Sequence, residues 1–415
     1  MKLLRPLRER DFALLWTGMT VSLLGDGIYL VAVAWQVYDL SDDPAALALV
    51  GLAWTSGMVA FLLFGGIVSD RVERRRVMIA ADLVRAAVLA AIGALSVAGV
   101  LQVWHLAVLV VLFGAGEAFF GPAFSALIPD ILTGERLVDA NALEQLVREG
   151  AATLLGPAVG GAVVALVGAG TAFLIDAGTF LFSAGCILAL RVRSVQVGRA
   201  ARSARREIGE GVAFARSQPW LWATLVMASV SLLAFMGPLD VLVPYVIRND
   251  LGSGAGAFGA VLAAGGAGSV AASIVLSQRG LPRRYLTFMY SVWGGGTLAF
   301  VGYAFATHVW HMAVLAVVFG ASDALGMIVW RTLMQTRVPP ELRGRVTSLD
   351  WFVSIALAPL SFALTGPVSS AIGVDATLIL AGIVPAVVTA VLFFAADLRA
   401  DEAAHPAVPT ADVVV

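Results

Sequence analysis

Runs of 21 to 29 residues with few charges succeed one another along the chain, each closed by a cluster of charge, proline or glycine. A helix needs about 20 apolar residues to cross the hydrocarbon core of a bilayer, so each run is long enough. The pattern predicts twelve spans, at 12–38, 46–68, 77–98, 103–128, 142–167 and 170–190, then 219–247, 256–277, 285–306, 309–334, 345–371 and 374–396. The first run is long and lacks a short apolar core followed by a cleavage site, so it reads as a retained span and not as a signal peptide.

Composition sharpens this picture. Of 415 residues 60% are hydrophobic, and 43 glycines bring the apolar share to about 70%, against roughly 45–50% in a soluble domain. Only 13% are charged. A soluble enzyme, a disordered scaffold and a secreted disulfide framework are all excluded. The net charge of −1 gives no basic field for nucleic acid. Cys186 is the single cysteine and the four histidines form no cluster, so neither a disulfide nor a metal site is expected. No phosphate-binding Walker loop is present, so no nucleotide, and no other cofactor, is expected.

Arginine placement orients the spans. With the N-terminus inside, 23 basic residues fall on one side and Arg248 alone on the other, while Arg85, Arg148 and Arg331 lie within spans. The positive-inside tendency then makes both termini cytoplasmic in a multi-pass protein of the cell membrane. The only long polar stretch between spans, 192–218, separates two six-helix halves, giving expected bundles at 1–191 and 219–397. Residues 398–415, with Pro406 and Pro409, read as a disordered cytoplasmic tail.

The halves are related in sequence. His105–Ala118 and His311–Ala324 agree at nine of fourteen positions, Ser69–Arg76 lies over Ser277–Arg284, and Gly156-Pro157 echoes Gly366-Pro367. Six spans per half insert both halves the same way up. The expected fold is therefore all-α, with twelve transmembrane helices in two parallel, pseudo-symmetric bundles, and parallel repeats of this kind are a transporter architecture.

The loop Gly66-Ile67-Val68-Ser69-Asp70-Arg71-Val72-Glu73-Arg74-Arg75, between spans 2 and 3, resembles the G-x-x-x-D-R-x-G-R-R pattern of the major facilitator superfamily, with Glu73 in place of the second glycine. Gly156-Pro157-Ala158-Val159-Gly160-Gly161 resembles the span-5 signature of that superfamily's drug:proton antiporters, in the branch of macrolide-efflux proteins and the enterobactin exporter. The resemblance implies a secondary transporter, not an enzyme, that exports small molecules against protons. It also implies a cytoplasmic latch in which Asp70 faces span 11 near Arg345. Arg71 and Arg74 are placed to pair with Asp130 at the end of span 4, while Arg75 and Arg76 are equally well explained by topology alone. Pro157 kinks its helix, and Gly156, Gly160 and Gly161 permit close approach of a partner, expected in the glycine-rich span 8.

Charges inside the membrane cost several kcal/mol unless paired or hydrated, so they mark function. Asp26, Glu117 and Asp323 each fall about fourteen residues into spans 1, 4 and 10, spans which the family resemblance places around the central cavity. Asp26 and Glu117 are the favoured proton-carrying pair, with Asp323 as third candidate. Arg148 is either a mobile counter-ion or the local partner of Glu144. Asp82 and Arg85 are spaced for a local pair, Asp350 reads as structural and Asp176 as ambiguous. Phe113, Phe120 and Phe124 share a helical face with Glu117; Trp330 shares one with Asp323, and Phe235 lies on span 7. An acid among aromatics suits an amphipathic, even cationic, ligand. Protons, a small molecule and the lipid bilayer are the expected partners, nucleic acid is not, and the chain is expected to act as a monomer. A proton-coupled uptake symporter and a non-transporting receptor or partner subunit remain alternative readings.

Overall fold

The computed structural model describes residues 2–132, 140, 143–144, 147–192 and 204–405, without the side chains at 2–4, 63, 66–67, 69–71, 149, 204–208 and 340. The described residues form helices and turns, with no strand among them. Spans 1 to 4 are the helices Arg10–Leu40, Pro44–Arg71, Arg74–Val97 and Val103–Ile131. Span 2 begins where Asp43 accepts a bond from the Ala45 amide at 2.9 Å, with Pro44 in the first turn, the position where a missing N–H costs nothing.

Spans 5 and 6 share one element, Gly156–Leu188, entered through a π-helical stretch at Arg148–Leu155. Pro157 has no amide hydrogen to continue the ladder, and the wider helix ends as the chain reaches it. Within the shared element Gly168 takes φ 83°, ψ 162° and turns the chain between the two spans. Gly373 takes nearly the same conformation, φ 89°, ψ 161°, between spans 11 and 12. A side chain is disfavoured in that region of backbone space, so the internal repeat reappears as a matched pair of glycine turns.

Span 7 is Pro219–Tyr245, span 8 Ala255–Arg279 and span 10 Val309–Arg337. Span 9 is divided into Tyr285–Thr297 and Ala299–Ala304 just after three glycines, Gly294 to Gly296. Span 11 is divided into Pro340–Ala356 and Ala358–Ile372 just before Pro359, and span 12 is Val374–Ala395. Among the described residues ten helices are long and apolar enough to cross a membrane. One of them holds both spans 5 and 6 and span 9 is split, so the count agrees with twelve crossings. This is a polytopic membrane protein.

Contacts divide the chain into two units, residues 1–199 with 247–263, and residues 200–246 with 264–415. The start of span 8 thus belongs with the first unit, a difference from the division expected at 219. The reason is close packing: the Cα of Gly161 and the carbonyl of Pro157 lie where a side chain on Gly259 would stand. In the same unit Gly27 of span 1 meets Gly156 and Pro157, and Gly160 meets Ile28. Small residues let helix backbones approach where lipid supplies no hydrophobic drive.

Two segments outside the expected spans are partly helical. The linker carries Ala204–Ser217, whose Glu210 pairs with Arg345 at the start of span 11. The tail, expected to be disordered from residue 398, begins with the helix Leu398–Ala404. Glu402 there is buried and accepts the Leu286 amide at 2.6 Å and the Thr287 hydroxyl at 2.7 Å, capping span 9. Asp401 holds Arg337 through bonds of 2.7 and 3.0 Å. These contacts order seven residues whose composition alone gives little reason to fold; the expected tail from residue 406 onward lies outside the described residues.

Candidate functional site

The first unit gathers charge at its centre. On span 3, Arg85 donates to Asp82 at 2.5 Å, and the two are 4% and 0% exposed. The guanidinium carbon lies 4.7 Å from the ring centre of Phe120 on span 4 and 4.3 Å from that of Phe180 on span 6. Gly116 faces the Arg85 stem, leaving the long side chain room against span 4. Asp26, flanked by Gly25 and Gly27 on span 1, lies in the field of Arg85, Glu117, Asp82 and Arg148. Glu117 is held by the Trp54 indole, which donates to its Oε2 at 3.2 Å. Asp176 on span 6 is 0% exposed; its Oδ1 accepts from Thr179 at 2.9 Å, and its Oδ2 has no partner among the described residues. Gly25 is packed directly against that carboxylate.

Four helices therefore bring four carboxylates, Asp26, Asp82, Glu117 and Asp176, around one buried guanidinium. The sequence singled out Asp26 and Glu117, and they do lie within reach of each other's charge. Arg148 also contributes to that field, but its side chain is 51% exposed and bonds Glu144 at 3.2 Å. Arg85 holds the central place. An arginine midway along an apolar span was the available signal, masked by the local partner at three residues' distance. Phe113 is buried between Tyr29, stacked at 4.7 Å, and Phe180, edge-on at 5.8 Å. Phe124 is likewise buried, in one apolar cluster with Phe12 and Leu127. Phe120 stacks on Phe124 at 5.9 Å and carries Arg85 on its face.

The second unit contains an open cavity, and the empty space within it and beyond its mouth together amounts to about 760 Å³. Its aromatic walls are Phe235 of span 7, Trp293 of span 9, and Phe319 and Trp330 of span 10. Asp323 of span 10 and Asp350 of span 11 line it together with hydroxyls such as Ser231 and Ser354. Trp330 donates its indole N–H to Asp350 Oδ2 at 3.2 Å and packs edge-on against Trp220 at 5.7 Å. Phe235 and Phe319 meet edge-on at 5.6 Å. Phe235, Asp323 and Trp330 are thus brought together as the sequence grouped them, whereas Asp350, read there as structural, is a wall residue.

The family model described as "Transmembrane secretion effector", part of the major facilitator superfamily, matches residues 2–412. The chain belongs to that family. As a member of the major facilitator superfamily it is a transporter and not an enzyme. It is 29% identical over 368 residues to the multidrug efflux pump Tap of Mycolicibacterium fortuitum, covering 85% of this chain and 88% of that protein. It is 24% identical over 381 residues to macrolide efflux protein A of Streptococcus pyogenes, with 89% and 92% covered. A bacterial homologue of the human lysosomal transporter Spinster shares the fold, with a TM-score of 0.71 at 14% identity and coverage of 98% and 100%.

The superfamily loop is visible in this transporter from its basic end. Arg74 donates to Asp130 at 2.7 Å and to the Ala126 carbonyl at 2.8 Å, tying the start of span 3 to the end of span 4. Arg75 donates to the Leu188 carbonyl. Glu73, which stands where the pattern has glycine, pairs with Arg76 at 2.8 Å. The side chains of Asp70 and Arg71, like the surroundings of Gly66, fall outside the described residues. Gly161 and Gly259 join span 5 to span 8, the helix the sequence pointed to.

Proposed function

We propose that this transporter is a proton-coupled exporter of amphipathic small molecules, working as a monomer in the cell membrane with both termini cytoplasmic. The observation that carries the reading is the charge imbalance inside the first unit. One guanidinium cannot neutralise four carboxylates, and ionised groups held away from water cost several kcal/mol each unless paired. Protons are the smallest species able to make up the difference. Like charges sharing a low-dielectric site bind a proton in common, so a change in the water access of Asp26 and Glu117 changes how many protons the cluster holds. Coupling follows if the cluster fills from one side of the membrane and empties to the other while cargo travels the opposite way.

The Gly-Pro signature of span 5 and the efflux pumps among the relatives favour export over uptake. The test is flux in proteoliposomes with an imposed pH gradient, using a fluorescent amphipathic dye. The expected outcome is dye movement against the proton flow, lost in Asp26→Asn with Glu117→Gln. Dye moving with the protons would make the protein a symporter, and full flux in the double variant would remove these acids from coupling.

A further inference from the structure

We propose that the cavity of the second unit is a receptor for an organic monocation, with Asp350 as the group that matches its charge and the Trp330 indole as the side chain that aims Asp350. This rests on the transport reading above and names the cargo site and its chemistry.

The first observation is the state of Asp350. Among the described residues its one hydrogen bond comes from Trp330 Nε1, at 3.2 Å. An indole offers a single donor and no acceptor, so one carboxylate oxygen remains for whatever enters. Trp330 is 4% exposed and held by Trp220, so the donor is fixed in direction. Arg331, next along the chain, contributes to the field at Asp350, but it is exposed and makes no ion pair with it among the described residues.

The second observation is the wall. Its rings (Phe235, Trp293, Phe319 and Trp330) enclose the space, and no lysine, arginine or histidine lines it. Aromatic faces attract a cation, and a wall so apolar suits one whose charge is spread over a large greasy surface. A hard metal ion asks for six or more oxygens, which this wall does not assemble.

The third observation comes from the repeat. Carrying the loop correspondence of Ser69 with Ser277 along spans 3 and 9 sets Arg85 opposite Trp293, and Glu117 corresponds to Asp323. In the first unit that position delivers a guanidinium to the acids, with Gly116 making room for it. In the second it delivers an indole, packed against Gly326. The repeat keeps acid and aromatic chemistry in both units, but at this position only the first carries a cation. In the second, an indole lines the cavity there.

The test uses the full chain, purified in detergent, and two probes of the same shape and opposite charge, tetraphenylphosphonium and tetraphenylborate. The phosphonium should bind saturably and the borate should not compete. Asp350→Asn should weaken phosphonium binding by about tenfold or more, and Asp350→Glu should restore part of it; a tenfold change is the scale of one charge-assisted contact. Trp330→Phe, which removes the donor but keeps a ring, should weaken it about threefold, a smaller share of that contact. Ser354→Lys leaves Asp350 in place and sets an ammonium one helical turn away, where it should act as a resident competitor and abolish binding. Equal binding of both probes overturns the proposal. So does an unchanged phosphonium affinity in folded Asp350→Asn or Ser354→Lys protein, or no saturable phosphonium binding at all. Binding without proton-driven flux would sink the transport reading and keep this one; flux of a neutral molecule without phosphonium binding would do the reverse.

Discussion

The Arg85 guanidinium bonds the Asp82 carboxylate at 2.5 Å in the interior of the first unit, and both side chains are almost wholly shielded. A pair so placed is expensive to break from one side, because the survivor is left as an uncompensated charge. Arg85→Met should cost about 3–5 kcal/mol of stability, while the double change Asp82→Asn with Arg85→Met should recover most of the loss. Unfolding of the variants in bicelles checks this. A double variant less stable than the single one would show that Asp82 is held by groups other than Arg85.

Glu402 accepts two amides and a hydroxyl at the start of span 9. Removing the carboxylate leaves the Leu286 amide buried without a partner, a change worth about 1–3 kcal/mol. Glu402→Ala should lower the unfolding midpoint, and truncation after residue 397 should lower it further because the Arg337–Asp401 pair goes too. An unchanged midpoint in the truncated chain would show that the terminal helix is ornamental.

Gly259 faces the backbone of Pro157 and Gly161 so closely that a methyl group there has no room. Gly259→Val should force spans 5 and 8 apart and cost about 1–3 kcal/mol, the usual scale of overpacking. Gly295→Val, a site with open space, is the comparison. Equal loss of thermal stability in the two would mean that helix propensity, and not contact, sets the effect.

Arg248 pairs with Asp39 at 2.7 Å and lies 5.5 Å from the Trp35 ring, but the two charged side chains are 24% and 50% exposed. Exposed pairs of this type contribute about 0–1 kcal/mol. Arg248→Ala should therefore change stability by less than about 1 kcal/mol, with the difference shrinking further in high salt. A larger, salt-insensitive loss in an unfolding titration would count against the surface reading.

Much of this fold was legible in the sequence because the bilayer demands long apolar helices and the arginines mark their ends. The glycine turns at 168 and 373 agree with a repeat already visible in His105–Ala118 and His311–Ala324. The candidate sites were harder to read. Hydropathy placed Asp26 and Glu117 at one depth, but depth does not say which faces turn toward each other, so the central role of Arg85 stayed hidden behind its neighbour Asp82. Asp350 was missed for a related reason: its meaning comes from Trp330 on another helix. Phe113 and Phe124 share a helical face with Glu117 and are both buried, a packing that helical spacing alone does not reveal. The terminal helix Leu398–Ala404 is too short to show a period, and only its contacts order it.

The turn at Gly168 has a mechanical consequence. Spans 5 and 6 meet there with no intervening loop, so the chain holds no slack between them. The element bears on Gly27 at one arm, through Gly156, and on Gly25 at the other, through Asp176. A tilt of the proline-bearing arm therefore reaches the carboxylate arm as leverage, and a few flexible residues spliced in at the bend would let one arm swing while the other stayed idle.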